Sequence, residues 1–178
     1  LALDKSAFTC ANIGSNAVIL TVTDNNDNTS TCDATVTVID NINPVAICQD
    51  VTVYLDADGN GSTTAAAVDN GSHDACGIKS LALDKSSFTL AELGTNTVTL
   101  TVTDNNNNTS TCNATVTVID NIPPVAICQD VTVNLDADGN GSTTAAAVDN
   151  GSHDASGIKS LALDKSAFTC ANIGSNAV

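Results

Sequence analysis

Arginine, tryptophan and methionine are absent from this chain, and its 178 residues include one tyrosine, three phenylalanines and five lysines. Aromatic-lined pockets and base-stacking platforms therefore have almost nothing to be built from. The formal net charge of -15 repels phosphate backbones and anionic membrane surfaces, so nucleic acid is not an expected partner. No apolar run approaches the roughly 20 residues that cross a bilayer, and membrane insertion is not expected either. No basic or signal-like segment precedes Leu1, so the sequence reads as an excerpt of a longer one.

What the chain does have is β-branched and turn-forming residues, with 24 Thr, 21 Asn and 19 Asp. Hydrophobic residues make up 42%, too many for a disordered acidic tail. Residues 1–80 and 81–160 align without a gap at 68 of 80 positions. Residues 161–178 match 81–98 at 12 of 18 positions but match 1–18 at all 18, which points to a true period of 160. The repeating junction is polar and marked by proline, Asp40-Asn41-Ile42-Asn43-Pro44 and Asp120-Asn121-Ile122-Pro123-Pro124. Taken as the boundary, it gives the end of one module at residues 1–40, a complete module at 41–120 and the start of another at 121–178.

Within the complete module the apolar spacing is two, as in half-buried strands. Residues 51–55, 98–103 and 114–118 alternate, and 45–48, 62–68 and 78–83 bring the expected number of short strands to six or seven. Asp56-Ala57-Asp58-Gly59-Asn60-Gly61, Asp69-Asn70-Gly71-Ser72 and Asp104-Asn105-Asn106-Asn107-Asn108 separate them with residues that tolerate positive φ. Ala65-Ala66-Ala67 is too short to predict a helix. The expected fold is all-β, a tandem of immunoglobulin-like antiparallel β-sandwich modules of about 80 residues.

Pro-Val-Ala-Ile-Cys-Gln-Asp-Val-Thr-Val, Asp-Asn-Gly-Ser-His-Asp-Ala-Cys-Gly-Ile, Thr-Val-Thr-Asp and Ser-Thr-Cys before a Thr-Val-Thr-Val strand occur in this order. The whole chain resembles hyalin repeats of the kind strung in tandem through giant secreted bacterial surface proteins. That resemblance implies an extracellular module used for adhesion or as a spacer, with no catalytic residues. Such repeats often carry four cysteines, and here the pattern is broken. Leu90 stands where other copies have Cys10 and Cys170, and Ser156 stands where another has Cys76.

Seven cysteines in an acidic, turn-rich repeat fit an oxidising compartment. Cys48 on the first strand and Cys112 on the last are expected to pair as neighbouring terminal strands, leaving Cys32 and Cys128 for partners outside the sequence. If four-cysteine relatives pair their second and third sites, Cys76 lacks a partner in its own module and so does Cys170. A bond from Cys76 to Cys10 or Cys170 of another module is the expectation, either along one chain or, the favoured route, to a neighbouring chain. Calcium is the candidate cofactor: Asp56, Asp58 and Asn60 alternate in a glycine-bearing loop, Asp136, Asp138 and Asn140 repeat them, and Asp40 with Asn41 offers oxygens at the junction. The same residues suit hairpin turns that accept backbone N–H groups.

Enzymatic chemistry is not expected. The two histidines, His73 and His153, occupy the same loop of successive copies, and no phosphate-binding loop or catalytic triad is discernible. The expected function is a structural tandem-repeat protein, an extracellular fibre or adhesin stalk whose partners are copies of itself. The alternative is an adhesive module, calcium-dependent or not, that recognises a glycan or a protein. Loop diversity separates the two, since a dedicated binding site needs loops unlike those of its neighbours.

Overall fold

Alternating apolar residues and Asn/Asp-rich turns produce antiparallel strands throughout the computed structural model, which describes residues 2–177. The strands are β1 (Ala2–Leu3), β2 (Gly14–Thr23), β3 (Thr29–Val38), β4 (Val51–Tyr54), β5 (Asn60–Ser62), β6 (Ile78–Leu83), β7 (Ser87–Thr89), β8 (Gly94–Asp104), β9 (Thr109–Ile119), β10 (Asn140–Ser142) and β11 (Ala167–Thr169). They form a three-stranded sheet β1-β2-β3, a four-stranded sheet β4-β9-β8-β6 and two pairs, β5-β7 and β10-β11. The protein is all-β. Among the described residues no helix is long and apolar enough to cross a membrane.

The hairpins follow from turn chemistry. In the β2-β3 hairpin, Gly14 pairs with Val38 and Thr23 with Thr29, and the link between the strands turns at Asp27 with φ 67°. The β8-β9 link repeats it at Asn107 with φ 70°, a left-handed conformation that Asn and Asp adopt more readily than most residues. Along β8, Val98, Leu100 and Val102 are fully buried and alternate with half-exposed threonines. Each such side chain contributes roughly 1.5–3 kcal/mol when removed from water. Val116 and Val118 are buried on β9, as are Val53, Leu55, Val68 and Phe88 elsewhere in residues 41–120. The threonine rows occupy the wet positions of a two-residue period.

Contacts divide the described residues into two compact units. The first comprises the residues up to Val51, Thr63–Ser86 and Thr97–Val116; the second comprises Thr52–Ser62, Ser87–Asn96 and the residues from Thr117 on. The first holds the β1-β2-β3 sheet and both disulfides, whereas the second holds the β5-β7 and β10-β11 pairs.

Three local expectations are corrected. Ala65–Val68 and Ala145–Val148 are single-turn helices, α1 and α2, in place of unbroken extended chain. Thr64 and Thr144 cap them, each side-chain oxygen accepting an N–H, from Ala67 and Ala147. Alanine loses almost no side-chain entropy in a helix, so one cap suffices for one turn. Strand pairing accordingly stops at Ser62 instead of running through residues 62–68. Residues 45–48 form isolated bridges only, Val45 with His73 and Cys48 with Asp69, because Ile47 N–H donates to Ser72 Oγ rather than to a ladder.

Candidate functional site

Of the functional candidates, Cys10, Cys76 and Asp40 come together around the turn that carries Cys76. Asp74 Oδ1 accepts the Cys76 N–H at 2.7 Å, and Gly77 follows with φ +95°. Asn105, in the β8-β9 turn, donates its side-chain amide to Cys76 O at 2.8 Å and its backbone N–H to Gly77 O at 3.1 Å. A methyl group at Gly77 would lie 2.8 Å from Asn105 Nδ2, so both backbone angle and close approach require glycine there.

The β8-β9 turn is organised by Asp104, which is fully buried. Its Oδ1 accepts the N–H groups of Asn106 and Asn108, each at 2.8 Å, and its Oδ2 accepts the Asn108 side-chain amide at 2.8 Å. Burial acts against the charge, but the bonds from the Asn108 side chain and the Asn108, Asn106 and Asn107 backbone outweigh it and hold the carboxyl below the usual 3.8. Asp24 makes the same turn between β2 and β3, and the Asn28 amide is the main cause of its lowered pKa. The Asn108 amide also reaches Asp40 O at 3.3 Å, and Ser110 Oγ donates to Pro44 O. These two bonds fasten the proline-marked junction to the hairpin.

Against this turn the structure sets Cys10, the first residue of a 3-10 turn, Cys10–Asn12, which Thr9 precedes as cap. Cys10 is bonded to Cys76, with Cα atoms 5.3 Å apart. The expected pairing of Cys76 with Cys10 is present, and of the two routes it takes the one along a single chain rather than the one to a neighbouring chain. Cys48 is bonded to Cys112 with Cα atoms 5.9 Å apart, where β9 lies beside β4. Cys32, Cys128 and Cys170 are exposed free thiols.

One copy further on, the same place is occupied without sulfur. A methyl group at Gly59 would lie 2.9 Å from Leu90 Cδ1 and 3.5 Å from Ala155 Cβ, so Leu90 and the residue before Ser156 share one patch. At Gly139 the corresponding neighbour is Cys170 Sγ. Leu90 and Ala155 thus flank Gly59, while the Ser156 hydroxyl turns to Asp154 Oδ1.

The loops proposed for calcium work as turns. Asp56 Oδ1 accepts N–H groups from Asp58 at 3.0 Å and Asn60 at 2.9 Å, and Asp136 Oδ1 does the same for Asp138 and Asn140 at the same distances. Among the described residues these loops gather no group of three His, Cys, Asp or Glu ligand atoms. Such a group does form at Asp40, Asp74 and Cys76, whose candidate atoms lie within 4.8 Å of one another. Asp40 Oδ1 accepts the Ile42 N–H at 3.0 Å, while Oδ2 is buried without a hydrogen-bond partner. Cys76 sulfur is committed to the disulfide and is not a thiolate ligand. Asn41 is exposed. The Asn105 contribution has no signal in local sequence, since it depends on which turns meet in space, whereas the Asp74 bond to Cys76 is local and recurs from Asp154 to Ser156.

A scan against protein-family models finds no match to this chain, and a search of curated proteins finds none.

Proposed function

We propose that this chain is a stretch of an extracellular structural fibre, built of tandem immunoglobulin-like β-sandwich modules of about 80 residues that resemble hyalin repeats. The observation that carries the reading is the Cys10–Cys76 disulfide. It fastens the residues before the proline-marked junction to those after it, and such a clamp serves rigidity and load rather than chemistry. Two disulfides within one chain fit an oxidising compartment.

The rival adhesive reading needs loops that differ from copy to copy. Here the Asp56 and Asp136 turns share the same hydrogen bonds, and so do the caps of α1 and α2. Repetition at this level supplies length. The test is electron microscopy and small-angle X-ray scattering of chains carrying one, two and three 160-residue repeats. A fibre gives a maximum dimension that grows linearly with copy number. Growth as the square root of copy number, as for beads on flexible links, overturns the reading.

A further inference from the structure

Among the described residues two buried side-chain oxygens receive no hydrogen bond, Asp40 Oδ2 and Asn106 Oδ1, each with less than 1 Å² open to solvent. A buried acceptor left bare is costly, and a carboxylate oxygen more so than an amide oxygen. Both oxygens belong to one place. The Asp40 carbonyl accepts the Asn108 amide at 3.3 Å, and Asn106 stands two residues earlier in the same β8-β9 turn, its N–H held by Asp104 Oδ1 at 2.8 Å. Asn105 of that turn donates to Cys76 O at 2.8 Å, and the carboxylate that caps the Cys76 turn, Asp74, has an oxygen within 4.8 Å of one on Asp40.

Each of these carboxylates commits one oxygen to a backbone N–H, Asp40 Oδ1 to Ile42 at 3.0 Å and Asp74 Oδ1 to Cys76 at 2.7 Å. Lys79, on the adjoining strand β6, donates to Asn107 Oδ1 at 2.6 Å. Two carboxylates this close repel one another, and a neutral donor would satisfy the bare oxygens without offsetting that repulsion. A cation does both.

From this we propose that Asp40, Asp74 and Asn106 form a binding site for a hard divalent cation, calcium by its chemistry. The donors are two carboxylates and an amide oxygen. The nearby Cys76 sulfur is held in a disulfide, which removes the thiolate that zinc would select. Calcium binds oxygens at about 2.3–2.6 Å, so two ligands of one ion can stand up to about 5 Å apart, as the carboxylates here can. It also accepts irregular shells completed by water, and Asp40, Asp74 and Asn106 are all only partly buried as residues. Magnesium demands a closer octahedron that three side chains from three separate turns are poorly placed to give. The site spans the proline-marked junction, with Asp40 before Pro44 and the other two ligands after it. A bound ion would therefore tie together the same two stretches of chain that the Cys10–Cys76 bond joins, by a link that chelation can undo. The inference stands on the geometry of these three turns and does not depend on the fibre reading.

The test is isothermal titration of the 178-residue chain, stripped of metal, with calcium chloride and separately with magnesium chloride. Saturable binding of about one calcium per chain is expected, with a dissociation constant of about 10⁻⁴–10⁻³ M and weaker binding of magnesium. The melting temperature should be higher in calcium than in EDTA. Asp74→Asn retains an oxygen for the Cys76 N–H, and both it and Asn106→Ala should weaken calcium binding by roughly tenfold or more. Asp58→Asn with Asp138→Asn, in the hairpin turns, should leave it unchanged. An intact Cys10–Cys76 bond on non-reducing peptide mapping shows that a variant has folded, and if Asp74→Asn fails that check, Asn106→Ala and the unaltered chain still decide. No saturable uptake up to about 10 mM calcium overturns the site, and a buried water or a proton shared by the two carboxylates then accounts for the bare oxygens. Uptake that survives Asn106→Ala, or is lost in the hairpin-turn variant, overturns the placement, and magnesium binding as tightly as calcium overturns the choice of ion. Each result is read on single chains, so it stands or falls separately from the growth of longer repeats.

Discussion

Removing the Cys48–Cys112 bond by Cys48→Ala with Cys112→Ala measures how much the thin core of residues 41–120 relies on covalent help. The bond spans a sequence separation of 64. In the chain-entropy account a loop of that length removes about 4 kcal/mol of conformational freedom from the unfolded chain. Domains of this kind are stable by only about 5–15 kcal/mol in total, so the loss is a large fraction. At roughly 2–4 °C per kcal/mol for a chain of this size, the melting temperature should fall by about 8–16 °C. Urea unfolding monitored by circular dichroism gives the free energy directly. A fall of less than about 1 kcal/mol at unchanged denaturant slope would refute the reasoning, because it would mean that residues 41–120 hold together through packing alone.

Four further outcomes follow from the same structure. Leu90→Cys with Ser156→Cys should close a bond between positions 90 and 156 in glutathione buffer, read by non-reducing peptide mapping, since Leu90 and Ala155 already share the Gly59 patch; engineered thiols that stay free would sink the equivalence with Cys10–Cys76. Gly77→Ala should cost about 1–3 kcal/mol in urea unfolding, from its positive φ and from crowding against Asn105. Leu100→Ala, at a site with no exposure, should cost about 3–5 kcal/mol in the same assay. Acid should destabilise the protein through Asp24 and Asp104, whose folded pKa values lie below the usual 3.8. Their contribution is complete above that value and is lost as the pH falls through the folded values, where the unfolded state has already taken up its protons; an acid titration of Asp104→Asn should show a shallower loss.

Strands were legible wherever a two-residue period met a partner. Residues 78–83 read as a strand and are β6, and the alternation at 98–103 lies inside β8. Residues 131–135 carry almost the same pattern as 51–55, yet only the earlier segment contributes a strand, because a strand is a property of a pair and not of one segment. The helices at Ala65 and Ala145 escaped a reading based on periodicity, since one turn shows no period and the cap at Thr64 or Thr144 is the deciding signal. The residues that cradle Cys76 were hidden for another reason. Asp40, Asp74 and Asn105 are far apart in sequence and meet only when three turns fold onto one another.

The two disulfides interlace in order along the chain, 10 to 76 and 48 to 112, so neither loop contains the other. A single peptide-bond cut anywhere between Cys10 and Cys112 therefore leaves both fragments covalently joined. Between those residues two covalent routes exist, one crossing from 10 to 76 and running on to 112, the other running from 10 to 48 and crossing there. A protease that nicks an exposed turn, such as Asp56–Gly59 or Asp104–Asn108, opens a gap in the backbone without severing the thread. Continuity under oxidising conditions is in this respect a property of the network and survives the loss of any one link in the backbone.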